Sequence, residues 1–157
     1  MKPIVLFICV LFALSCQSQN ESLVVNVSGK KIDLNKEYTE TSIEKVFGKP
    51  VNIKRESDYD DYVKDESDAP PWTVITYDGL SISLIGSDIE EIIITNDSWS
   101  INGITINDDF EKIKKTYKFI DMWKDYHRFL YGNTDVILFV KIKNDKILEL
   151  GIGVPLL

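Results

Sequence analysis

Residues 56 to 68 read E-S-D-Y-D-D-Y-V-K-D-E-S-D, seven acids against one lysine. Asp58, Asp60 and Asp61 offer the oxygens that Ca²⁺, a hard cation wanting several carboxylates, requires. The same charge could instead meet a basic partner. The competing reading is a solvated insertion kept extended by its own repulsion. The D-x-D-x-D-G loop and distal Glu of an EF-hand are absent, which favours the insertion. Apart from Ca²⁺, no cofactor is expected.

His127 is the only histidine, flanked by Tyr126 and Arg128. A transition-metal site would recruit more than one His or Cys, and acid–base work needs partners within hydrogen-bond reach. An ordinary surface or sheet histidine is expected. An enzyme would require catalytic carboxylates, for instance among Asp121, Asp125 and Glu149, to converge. No G-x-S-x-G, H-E-x-x-H or catalytic cysteine occurs, and Gly151-x-Gly153 opens no helix that could hold phosphate. The expectation is a protein that catalyses nothing.

Trp72, Trp99, Trp123, Tyr126 and Tyr131 could form a stacking surface for sugar rings or for a protein, because rigid aromatics give large contact area at low entropy cost. Aromatics on strands more commonly pack inward. Trp123, set among Asp121, Lys124 and Asp125, and its neighbour Tyr126 are the candidate contacts for a partner or a glycan.

The remaining chemistry lies at residue 16. One basic residue, Lys2, precedes an uncharged run from Ile4 to Leu14. Eleven residues are too few for a helical span, which needs roughly 20, but suit the apolar region of a secretory signal. Ser15 and Cys16 come after the run, and Q-S-Q-N-E-S follows. The junction A-L-S-C resembles the lipobox of bacterial lipoproteins, in its looser Bacteroidetes-type form, with Ala13 and Leu14 exchanged relative to the usual order. That resemblance implies cleavage before Cys16 and acylation of its sulfur. An ordinary signal peptidase would cut the same bond and leave a lone exposed thiol, a reactive liability without a partner. The expected plan is therefore a signal peptide over residues 1–15 and a lipidated cysteine with a tether over residues 16–26.

Loss of Lys2 with the leader leaves 17 basic and 25 acidic residues, a net charge of −8. That balance is wrong for nucleic acid, whose affinity comes from neutralised phosphates, and for adhesion to anionic lipid headgroups. With no disulfide framework and no second apolar span, the body must rest on an ordinary core.

The elements that would position these residues recur. V-S-G-K-K-I-D-L-N (27 to 35) and I-N-G-I-T-I-N (101 to 107) share an apolar residue, Ser or Asn, Gly, then an alternating Ile-x-Leu/Ile-Asn. Each precedes a short amphipathic helix. In the first, Thr41 with Glu44 makes a capping box, Ile43, Val46 and Phe47 form the stripe, and Gly48 with Pro50 ends it. In the second, Asp108 or Asp109 caps, and Phe110, Ile113 and Tyr117 form the stripe. Strands follow at 72–77, 80–85, 89–95, 136–143 and 147–154, punctuated by hairpin signals. Residues 118–131 fit a helical stripe but are placed as strand by the repeat. The reading is α+β: two tandem repeats of β-hairpin, short helix and antiparallel meander, over residues 27–98 and 99–157.

On Ile32, Leu34, Phe47, Gly48 and Pro50, with the meander behind them, the body resembles the repeat of two envelope families. These are outer-membrane assembly lipoproteins of the SmpA/OmlA type and the tandem β-lactamase inhibitory proteins. The resemblance implies a non-catalytic module whose sheet binds another protein. With the lipid on Cys16, the expected partner is another envelope or exported protein and the expected place the bacterial cell envelope, at its outer membrane. An immunity or inhibitor protein against an exported toxin or hydrolase, or a glycan-binding module, are the alternative readings.

Overall fold

The computed structural model describes residues 23–56 and 71–154. Cys16, the leader, and Asp58, Asp60 and Asp61 lie outside the described residues.

The described chain is mostly antiparallel β-sheet with two short helices. In order the elements are β1 (Val24–Val27), β2 (Lys30–Asp33), α1 (Glu40–Phe47), β3 (Asn52–Glu56), β4 (Trp72–Tyr77), β5 (Leu80–Ile85) and β6 (Asp88–Ile94). There follow β7 (Ser100–Ile101), β8 (Ile104–Thr105), α2 (Glu111–Thr116), β9 (Lys118–Trp123), β10 (Tyr126–Leu130), β11 (Ile137–Lys143) and β12 (Lys146–Gly153). One sheet has the order β2-β1-β7-β8 and the other β3-β4-β5-β6-β12-β11-β10-β9. Residues 118–131 are thus an edge hairpin, with a bulge between Arg128 and Phe129.

The β1–β2 and β7–β8 hairpins turn through Ser28-Gly29 and Asn102-Gly103, both residues of each pair at positive φ. This is the two-residue turn whose twist matches its strands. The two turns also bind each other. Ser28 Oγ accepts from the Ser100 N–H and Asn102 Oδ1 from the Asn26 N–H, both at 2.9 Å.

Alternation decides the faces of the large sheet. Ile75, Leu80, Ile82, Ile92, Ile94, Phe129, Leu138, Val140, Leu150 and Ile152 point inward and are buried. They join Ile43 of α1, Ile113 of α2 and Val25, Val27, Ile32 and Ile101 of the small sheet in one core cluster. The opposite, outer face carries the residues that alternate with these along each strand.

Three local expectations change. The first helix starts earlier than expected: Thr39 is its N-cap and Ser42, not Glu44, closes the capping box, with Ser42 Oγ accepting from the Thr39 N–H at 2.8 Å. Thr41 then lies inside the helix. In the second helix neither Asp108 nor Asp109 caps. Asp108 accepts from the Thr105 N–H at 2.9 Å and pairs with Lys112, while Asp109 pairs with Lys146 across to β12. The tether assigned to residues 16–26 stops short as well, because Val24 to Asn26 belong to β1 and Val25 is fully buried.

Candidate functional site

The outer face of the large sheet holds a groove of about 520 Å³ lined by β4, β6 and β9 to β12. Trp72, Trp123, Tyr126 and Phe139 supply its aromatic walls, and Glu90, Glu91 and Arg128 its charges. Strand parity puts Trp72, Glu91, Trp123, Tyr126, Arg128 and Phe139 on one face, where they line the groove.

Of the β12 glycines, Gly153 lines the groove and Gly151 lies beneath the Phe139 ring. A Cβ on Gly151 would lie 2.0 Å from the Phe139 ring, and one on Gly153 2.4 Å from the Glu90 carbonyl oxygen. The ring of Phe139 therefore occupies the space over Gly151 that a side chain would take, and β6 approaches β12 closely at Gly153.

The charged groups differ in how well they are partnered. Arg128 donates from Nε and Nη2 to both oxygens of Asp121, at 2.6 and 2.5 Å. That fork raises the guanidinium pKa and lowers that of Asp121. The Tyr126 hydroxyl donates to Glu149 Oε1 at 2.5 Å. This bond, then burial, pushes the phenol up to about 12. Among the described residues, Glu91 has the Ser83 hydroxyl alone as a hydrogen-bond partner, at 3.3 Å. Burial raises the Glu91 carboxyl, the Ser83 bond partly opposes this, and Glu149 adds to it. Burial and then Glu91 raise Glu90 too.

This arrangement carries a pH signature. A carboxyl held above its ordinary range binds its proton more tightly when folded, so stability is lost as pH rises from the ordinary value through the folded one. Glu91→Gln should raise Tm by about 2–4 °C at pH 7, and the gain should vanish by pH 4. Glu90, Glu149 and Arg128 face the same space and remain in the variant. A gain equal at both pH values would show that the charge is not its source.

The candidate residues separate cleanly. Trp123 and Tyr126 line the groove together with Trp72, whose Nε1 is buried without a hydrogen-bond partner among the described residues. Trp99 does not join them: it packs against Phe47 and Tyr77 and donates from Nε1 to the Asp78 carbonyl at 2.7 Å. Nor does Tyr131, which accepts from Asn102, donates to the Val24 carbonyl and stacks on Tyr117. Asp121, Asp125 and Glu149 each have their own partner, in Arg128, Lys141 and Tyr126. His127 points to the inner face between Phe110 and Phe119.

Sequence reasoning missed Glu90, Glu91 and Phe139. The signal was present in I-E-E-I-I-I, where a carboxylate interrupts an apolar strand, and in Gly151-x-Gly153 inside a strand, which marks close approach rather than phosphate binding.

No family model and no curated protein matches the chain. Among solved structures it is similar to an extracellular protein containing a SCP domain from Bacillus anthracis str. Ames, at 12% identity and a TM-score of 0.48 over 74% of this chain. The chain spans 43% of that protein's length. Among the described residues, no helix is long and apolar enough to cross a membrane, and no cluster of His, Cys, Asp or Glu is arranged to hold a metal ion.

Proposed function

We propose that this chain is an envelope lipoprotein, anchored through acyl chains on Cys16, whose body binds another protein and catalyses nothing. The groove on the outer sheet face is the binding surface. The observation that carries this reading is a trough with Trp72, Trp123, Tyr126 and Phe139 on its walls, the residue types that dominate interface energetics. Of the large apolar residues that remain exposed among the described residues, Trp123 and Val154 line this groove.

The body is read as two tandem copies of hairpin, helix and meander. Three details support this. The reciprocal Ser28 and Asn102 bonds exchange under one two-fold operation. The bulges at Ser83/Leu84 in β5 and Lys141/Ile142 in β11 fall 58 residues apart. In the β6–β12 seam, Ile92 pairs with Ile152 and Ile94 with Leu150, as the same offset requires. Under it Glu91 and Glu149 are counterparts, so the groove sits across the symmetry axis. A face built at such an axis draws on both copies and is larger than either alone offers.

Two measurements test the reading. The intact mass of the processed chain should begin at Cys16 and include acyl chains, and Cys16→Ala should release the protein from the membrane fraction. A photo-crosslinking residue at position 123 should capture one dominant protein in producing cells, whereas the same residue at Val51, exposed but not lining the groove, should not. Equal capture at both positions, or a bare thiol at Cys16, would overturn the respective half.

A further inference from the structure

We infer that the groove accepts a lysine or arginine side chain of the partner protein, its charged head against Glu91 and its apolar stem along the aromatic wall. This rests on the groove being the binding face.

The argument begins with unbalanced charge. Glu90 and Glu91 line the groove, and the cation among its lining residues, Arg128, has both donor edges occupied by Asp121. Lys141 lies opposite Glu149 in register but turns to Asp125, at 3.2 Å. Glu91 therefore faces the groove with a 3.3 Å bond to Ser83 as its compensation. A half-buried carboxylate so weakly partnered is destabilising by itself, and a cation delivered by a ligand would restore the missing interaction.

The walls narrow the kind of cation. Ile93, Ile137, Phe139 and Trp72 are apolar or aromatic, and aromatic faces attract ammonium and guanidinium groups. A bare metal ion would find no cage of oxygens there, and a neutral sugar could donate hydroxyl hydrogen bonds to Glu91 but would bring no opposite charge. Lysine and arginine combine an apolar stem with a charged head, which is the pattern of this lining. The net charge of −7 adds long-range attraction for a basic surface.

The experiment is selection of a random dodecapeptide display library on the full purified chain in detergent. Peptides recovered should be enriched in Lys and Arg over the unselected library. The best of them, made synthetically, should bind about tenfold more weakly to Glu91→Gln and to Trp123→Ala. Glu91→Gln is expected to be more stable than the parent at neutral pH, so its loss of binding cannot come from unfolding. Peptides lost on Trp123→Ala but free of Lys and Arg, or indifferent to Glu91→Gln, would overturn the cation and leave the groove. Peptides indifferent to Trp72→Ala and Trp123→Ala, or no enrichment at all, would overturn both. Glycan-array binding abolished by Trp123→Ala would replace the basic side chain with a sugar.

Discussion

Phe129→Ala is expected to lower the unfolding free energy by about 3–5 kcal/mol, the range for truncating a fully buried Phe. Phe129 has no exposed surface and lies edge-on between Phe110, at 5.9 Å, and Phe119, at 5.5 Å. Deleting the ring leaves a cavity where three elements meet: α2 through Phe110, the edge hairpin β9–β10, and β11 beneath. A domain of this size has about 5–15 kcal/mol in total, so the loss is a large share. Urea denaturation of the variant, beside Phe119→Ala, measures it. Phe119 is 50% exposed and should cost less. Equal losses would mean that the ring on β10 is not the wedge holding the hairpin.

Gly153→Ala is the second large effect, and it acts by crowding. The new methyl would stand 2.4 Å from the Glu90 carbonyl oxygen and 3.0 Å from Glu91 Cβ. The nearer obstacle is backbone, which no rotamer change removes, so β6 and β12 must separate at the seam. The expected cost is about 1–3 kcal/mol, together with displacement of the two groove carboxylates. Gly151→Ala is the informative contrast. Its methyl meets the far end of the Phe139 side chain, which can swing aside into the groove. That variant should lose less stability yet fill part of the trough. Thermal unfolding and peptide binding measured on both variants separate the effects: the first should lose chiefly stability, the second chiefly binding.

The sequence displayed the strands wherever one face is buried and the other wet. W-T-V-I-T-Y and L-S-I-S-L-I alternate cleanly, and both are strands at those residues. The strand β3 was not legible, because N-I-K-R-E carries one apolar residue. It exists because β4 offers it a partner and because Arg55 reaches back to Glu40 on α1 with a two-pronged ion pair. The helix boundary was misplaced for a related reason. Thr39 and Thr41 are both able caps, and which is used depends on where the chain leaves the small sheet. Of the groove, Trp123 and Tyr126 were legible as aromatics in polar company. Glu91 and Phe139 were not, since their meeting depends on the pairing of β6 with β12 and β12 with β11. No local pattern encodes that pairing.

The seam has a consequence for biosynthesis. Ile92 and Ile152 are cross-strand neighbours although 60 residues separate them, and β12 is the last described strand to leave the ribosome. Until residues 146–153 emerge, the nascent β4–β6 meander has an uncovered edge along β6, a template for wrong pairing. Contacts so distant along the chain form slowly. The interval before the central strand arrives is therefore when the partly made sheet is most exposed to aggregation.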